Sequence, residues 1–320
     1  MPAPPFKLTN APPMVTPTYD GSGQVVHPDV LIFPQRFRGY KYVLCYDPYP
    51  NGDNAYENPS IYVSNKKDGN FTDIIDGQTI PNPISGLPES GWFNSDSDMM
   101  FWKGKIWLYW RHGPTTDYYR ELMLRRSADL INWDEKKVIM TYNSEGATRY
   151  CSPAFVPEND NLVSVFFPNA TDYSLHLFET TDGENLVHIG KTNFSLPLGR
   201  NLWHIDVNKL TNGEYWALAC DTDGELWFAR SKNRIDWEQF DEPVLSPRAG
   251  EWDAHIYRTT FAVLNQKILV WYSAHNPSPA VWHCGYTEAD ISSLVDPNVQ
   301  SSNVIGRPVA EIQNLERDGL

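Results

Sequence analysis

Five short polar clusters, widely separated along the chain, each lead into an alternating apolar and polar stretch. This recurrence limits the possible folds more than any other feature. The clusters are Val26-His27-Pro28-Asp29-Val30, Asn94-Ser95-Asp96-Ser97-Asp98-Met99 and Arg149-Tyr150-Cys151-Ser152-Pro153-Ala154-Phe155. The fourth and fifth are Leu202-Trp203-His204-Ile205-Asp206-Val207 and Glu251-Trp252-Asp253-Ala254-His255-Ile256-Tyr257-Arg258. The following stretches, such as Lys105-Ile106-Trp107-Leu108-Tyr109-Trp110, alternate with the two-residue period of strands and are bounded by Gly, Pro, Asn and Asp. The best helical candidate is a short stretch from Ala310 to Arg317.

A second element closes the repeats. It loosely follows Ser/Thr-x-Asp-x-x-x-aromatic and recurs at Ser64 to Phe71, Ser127 to Trp133, Thr180 to Leu186 and Ser231 to Trp237. A hydroxyl and an Asp or Asn side chain hold a tight turn by bonding nearby backbone groups. The openings lie roughly 45 to 70 residues apart, a period that fits four-stranded propeller blades. We therefore expect an all-β chain forming a single five-bladed β-propeller with four-stranded antiparallel blades. A β-sandwich would not explain why every first strand begins with polar residues. The expected layout is a Pro-rich N-terminal arm over 1–24, the propeller over 25–288 and a tail over 289–320 that closes the ring or mediates attachment.

Composition narrows the partners. Lys plus Arg at 26 against Asp plus Glu at 40 gives a net charge of −14, which repels phosphate backbones and argues against nucleic acid. No apolar run reaches the length of a membrane span, and the opening Met1-Pro2-Ala3-Pro4-Pro5 lacks the layout of a secretion signal. Cys45, Cys151, Cys220 and Cys284 are widely spaced; they read as small core residues and offer no zinc-ligand pairs.

In a propeller the first strands line the axial channel and enter it from one face, so the five openings converge on one pit. Asp29, Asp98, Asp206, Glu251 and Asp253 are then the candidate catalytic carboxylates. His27, Asp96, Arg149, Trp203, His204, Trp252, His255, Tyr257 and Arg258 are the candidate binding groups. Carboxylates, imidazoles and flat rings around a concave floor suit a polyhydroxylated ligand, a carbohydrate or polysaccharide. Calcium in the channel is a possible cofactor, because oxygen ligands are abundant; no ligand set is assigned. Glu57 and Asn58, set ahead of Pro59, would stand at the rim of the first blade.

With these openings in place, the chain resembles the five-bladed propeller superfamily of glycoside hydrolases that includes families 32, 43, 62 and 68. The resemblance implies a blade-one Asp as base or nucleophile, a second Asp that tunes it and a Glu proton donor. Asp29 sits where the first would. Ser152 stands where the second is expected, and the fourth opening offers no Glu.

Gly39-Tyr40-Lys41-Tyr42, Tyr46-Asp47-Pro48-Tyr49-Pro50-Asn51-Gly52, Tyr56-Glu57-Asn58-Pro59-Ser60 and Tyr257-Arg258-Thr259-Thr260-Phe261 resemble propeller proteins of bacteriophages of Gram-positive hosts. That likeness implies a tail-associated virion protein that recognises host surface glycan, partnered by other virion proteins and assembled in the host cytoplasm. The alternative is a cytoplasmic glycoside hydrolase of arabinanase, fructosidase or xylosidase type, with Asp29 as base or nucleophile.

Overall fold

A computed structural model describes residues 2–116, 119–143 and 149–306. The helical expectation near 310–317 lies outside them. Among the described residues helix is limited to three short 3-10 turns, and no helix is long and apolar enough to cross a membrane.

The chain is an all-β, five-bladed propeller. Blade one holds β1 (Val25–Phe37), β2 (Tyr40–Pro48) and β3 (Ser60–Ser64), followed by the small hairpin β4 (Ile74–Ile75) and β5 (Gln78–Thr79). Blade two is β6 (Trp92–Trp102), β7 (Lys105–Pro114), β8 (Tyr119–Ser127) and β9 (Lys137–Asn143). Blade three is β10 (Ala154–Asn159), β11 (Leu162–Pro168), β12 (Leu175–Thr180) and β13 (Val187–Lys191). Blade four is β14 (Leu202–Lys209), β15 (Tyr215–Asp221), β16 (Leu226–Ser231) and β17 (Trp237–Gln239). Blade five is β18 (His255–Leu264), β19 (Lys267–Pro277) and β20 (Ala280–Asp290). Every blade is an antiparallel meander.

Blades one and five have three strands each, and isolated bridges take the fourth position. In blade one, Val63 and Thr72 exchange backbone hydrogen bonds. In blade five the partner comes from the other end of the chain: Pro13 bridges Gly285, and Met14 N donates to Cys284 O at 2.7 Å. The N-terminal arm thus covers an edge that would otherwise expose unpaired backbone groups.

The apolar core lies at the blade-to-blade seams. One cluster joins blades one and two through Leu31, Val43, Met99 and Trp110, and the next joins two and three through Trp107, Tyr109, Phe155 and Val165. Others join three to four (Phe166, Trp237), four to five (Trp216, Phe261) and five to one (Trp271, Tyr42). Because apolar side chains occupy the seams, the axis is left to polar groups.

The outer turns form as the recurrent motif implies. Ser127 Oγ accepts from the amides of Asp129 and Leu130, while Asp129 Oδ1 accepts from Ile131 and Asn132. Thr180 with Asp182 and Ser231 with Asn233 repeat this geometry. At the far end of the channel the segment 301–305 straps the inner strands. Ile305 N donates to Ile32 O, Ser301 N to Val263 O, and Asn303 Nδ2 to Val30 O and Phe261 O.

Candidate functional site

The inner strands do not run regularly into the channel. Pairing slips between Val26 and Asp29, between Ser95 and Asp98, between Leu202 and His204, and between Ile256 and Arg258. Such bulges re-aim side chains. His27, Asp96 and Ser152 hold left-handed φ values of 52°, 54° and 42°, a conformation that costs a non-glycine residue about 1 kcal/mol or more. Five side chains consequently meet in an upper ring: His27, Asp96, Ser152, His204 and Arg258. Two residues further on, a lower ring holds Asp29, Asp98, Ala154, Asp206 and Thr260.

Asp96 is the hub of the upper ring. Its Oδ1 lies 3.2 Å from His27 Nε2, 3.8 Å from His204 Nδ1 and 3.8 Å from an Arg258 terminal nitrogen. It also accepts from Ser152 Oγ at 2.9 Å, and Arg111 grips Oδ2 at 2.8 Å. Burial alone would raise the Asp96 pKa, but the surrounding positive charge, Arg111 foremost, holds it well below the usual carboxylate range. His27, Asp96, Ser152, His204 and Arg258 are all at most 2% exposed.

Hydrogen-bond bookkeeping fixes the imidazole tautomers. His27 Nδ1 faces Asp47 Oδ2 at 2.9 Å and Glu57 Oε1 at 3.3 Å. Carboxylates accept, so Nδ1 carries the proton; the Asp96 amide also points at it, at 3.2 Å, but the shorter carboxylate contact decides. Nε2 makes no hydrogen bond, and in the neutral ring it presents its lone pair 3.2 Å from Asp96 Oδ1. Ser152 gives its one proton to Asp96 and must accept from His204 Nδ1, so His204 Nε2 also holds a lone pair and is also without a partner. Burial lowers the His204 pKa well below normal, which keeps that ring neutral, the form that binds metal.

Two buried imidazole lone pairs beside an ionised carboxylate are costly unless a cation joins them. One ligand atom from each of His27, Asp96 and His204 lies within 4.8 Å of the others, and a second group of His27, Asp47 and Glu57 meets the same limit. Ligands about 2.1 Å from an ion at right angles stand about 3 Å apart, close to the observed His27–Asp96 separation. The donor set fits a divalent cation of the two-histidine, one-carboxylate kind, with Asp47 and Ser152 orienting the rings from behind. Calcium prefers an oxygen cage, so the imidazoles suit a transition metal better than the calcium anticipated from sequence.

The lower ring is differently occupied. Asp29 accepts from Met99 N of the next blade and from Val30 N at 2.8 Å. Asp98 accepts from Phe155 N of blade three at 2.9 Å, and Asp206 from Phe261 N of blade five at 2.9 Å. Thr260 Oγ1 reaches both Asp29, at 3.1 Å, and Asp206, at 3.0 Å. Burial first, then mutual repulsion for Asp98 and Asp206, raises the pKa of all three carboxyls. They stitch neighbouring blades together, with Arg258 above them and the Ser302–Asn303 strap below.

The expected residues therefore separate. His27, Asp96, His204, Arg258, Trp203 and Tyr257 gather around the upper ring; Tyr257 lies 4.5 Å from the His204 ring and 5.6 Å from His27. Asp29, Asp98 and Asp206 gather one layer below, bonded to backbone amides instead of facing the mouth. Five others point elsewhere. Asp253 is fully buried on Arg248, Asn10 and Tyr272, and Trp252 donates to Ala11 O, so both anchor the N-terminal arm. Glu251 is exposed in the preceding loop, and His255 packs on His275, beside the Gly224 turn. Arg149 is exposed, with its backbone N bonded to Asn169. Asp47 and Arg111 were missed by the sequence reading. Both lie where a second strand returns to the mouth, and the signal was a charged residue at the end of an apolar run.

The chain matches no protein-family profile. It is 26% identical to an A type blood N-acetyl-α-D-galactosamine deacetylase of Flavonifractor plautii, covering 78% of this chain and 40% of the relative. The chain thus spans less than half the length of that curated protein. Among solved structures, an N-acetylgalactosamine deacetylase from F. plautii in complex with blood group B trisaccharide superposes with a TM-score of 0.76 and 21% identity, covering 90% of this chain and 96% of that one. An α-L-arabinofuranosidase from Podospora anserina in complex with cellotriose gives 0.62 and 15%, covering 91% and 99%. The phage-tail expectation is overturned, because the relative and these structures are carbohydrate-active enzymes. The fold is that of the five-bladed propellers found among glycoside hydrolases.

Proposed function

We propose that this chain is a carbohydrate-active hydrolase that removes an acyl group from an amino sugar, with a divalent cation held by His27, Asp96 and His204. The observation that carries the reading is the meeting of His27, Asp96 and His204, one ligand atom of each within 4.8 Å of the others, with both Nε2 atoms buried and making no hydrogen bond. The deacetylase relative supports the choice of bond.

A bound cation supplies Lewis acidity, which polarises an acyl carbonyl and makes water a nucleophile at neutral pH. The chain's own groups do the rest. Asp47 and Ser152 hold the two imidazoles in the tautomers that leave Nε2 free. Arg111 keeps Asp96 ionised. Glu57 lies 3.3 Å from His27 Nδ1, only 7% exposed, with its pKa raised by burial and then by Asp47 and Asp96. In this reading Glu57 is the acid–base group that takes a proton from water and returns it to the departing amine.

The floor argues for a small exocyclic target. Glycosidic cleavage needs two carboxyl groups roughly 5 to 9.5 Å apart across an open cleft, whereas Asp29, Asp98 and Asp206 are buried and bonded to amides. Hydrolysis of a glycosidic bond is the second reading, favoured by the fold shared with glycosidases. The test is to incubate the purified chain with N-acetylgalactosaminides and assay acetate and new reducing ends. Acetate release that stops with chelator and returns with added metal is the expected result. Reducing ends without acetate would establish the second reading instead.

A further inference from the structure

The residue just before each upper-ring member divides the mouth into two unlike halves. On blades one to three it is small and buried: Val26, Ser95 and Cys151. On blades four and five it is a half-exposed aromatic, Trp203 or Tyr257. The bulges make this possible, since they turn both Tyr257 and Arg258 toward the channel. The aromatic half then continues. Trp203 and Tyr257 both pack on the His204 ring, at 5.5 and 4.5 Å between centroids. Tyr257 packs edge-on to Trp282 at 5.1 Å, and Trp282 meets Tyr49 at 5.1 Å. The Trp282 indole nitrogen is buried without a partner. Glu57 and Arg111 face this arc from blades one and two.

We infer that Trp203 and Tyr257, backed by the buried Trp282 and by Tyr49, form the platform on which a sugar ring lays its apolar face, with its polar groups turned toward Glu57 and Arg111. This rests on the carbohydrate reading above and adds the orientation of the ligand. A pyranose has one face rich in C–H bonds, and aromatic side chains cover such surface while their polar edges stay hydrogen-bonded. Because Tyr257 touches both imidazoles, a ring stacked on the arc brings an exocyclic substituent to the cation triad. The small residues on blades one to three leave room for that substituent.

The test is calorimetric titration of the metal-loaded full chain with the methyl glycoside of N-acetylgalactosamine. Trp203→Ala should weaken binding about tenfold and Trp203→Phe by less than about threefold, the difference that loss of a stacked ring makes. Metal affinity measured in parallel should change by less than about twofold in both. Saturation-transfer NMR on the unsubstituted chain gives a second readout: irradiating aromatic protons should label the C–H groups of one sugar face more strongly than those of the other. Equal glycoside affinity in wild type and Trp203→Ala, or equal labelling of both faces, overturns the platform. A wild-type chain that binds no glycoside overturns the carbohydrate reading and the platform with it.

Discussion

The two rings of the channel come from the same five inner strands, two positions apart, yet their chemistry differs. In the lower ring each carboxylate meets a backbone amide of the neighbouring blade, and Asp29, Asp98 and Asp206 have partners that nothing needs to displace. In the upper ring Asp96 is surrounded by cationic and imidazole groups, and two ring nitrogens are left unpaired. A buried polar group that is fully bonded stabilises a fold, while one left unpaired marks a place where something binds. Residue type does not separate Asp96 from Asp98; the partners that each carboxylate meets do.

The sharpest way to break this comparison is to remove a ligand from the upper ring. Asp96→Asn should lose more than the roughly 100-fold in metal affinity typical of losing an outer partner, and acetate release should fall with it. Metal titration and an acetate assay check both. The mirror experiment is Asp206→Ala, which strands the Phe261 amide and a Thr260 contact. It should cost about 2 kcal/mol, lowering the melting temperature by about 4–8 °C while the chain still binds metal. If Asp206→Ala abolished metal binding and left stability untouched, the division of labour would be reversed.

Ser152→Ala tests the orienting role. It removes the acceptor that fixes the His204 tautomer, and metal affinity should drop about tenfold, a change smaller than that of Asp96→Asn. The smallest effect lies outside the channel. Glu288 of blade five links Lys67 of blade one with Lys267 and Tyr286. Burial opposes its charge, but Lys267 and Lys67 prevail and hold its pKa at about 2. Its folded value lies below its unfolded one, so its contribution is present above about pH 4.5 and is lost as pH falls toward 2. Allowing for solvent screening, that is about 1 kcal/mol. Denaturant melts of wild type and Glu288→Gln across this range should converge at the acid end.

The five-bladed fold was legible because strand alternation and recurring polar openings are local signals. So was the meeting of His27, Asp96 and His204, since each begins an inner strand. Blade five was read too early along the chain. Glu251, Trp252 and Asp253 form a polar, aromatic cluster like the other openings, but their partners are Ala11, Asn10 and the nearby Arg248, and contacts with an arm more than 200 residues away leave no local trace. Asp29 was given a catalytic part because it occupies the right strand, whereas its hydrogen-bond partners, Met99 N and Thr260, belong to other blades and leave no local trace. Asp47 and Arg111 were hidden for the opposite reason: they stand at the ends of second strands, which return to the same mouth only because the blades are antiparallel.

The central claim is that the upper ring is a cation site, and the most direct measurement is the stoichiometry and affinity of divalent-metal binding to chelator-stripped full-length chain. The account predicts one tightly bound transition-metal ion per chain, lost in His204→Ala and in Asp96→Asn but kept in Asp206→Ala. A stripped chain that takes up no ion, or one that binds it equally well without His204 and Asp96, would contradict it.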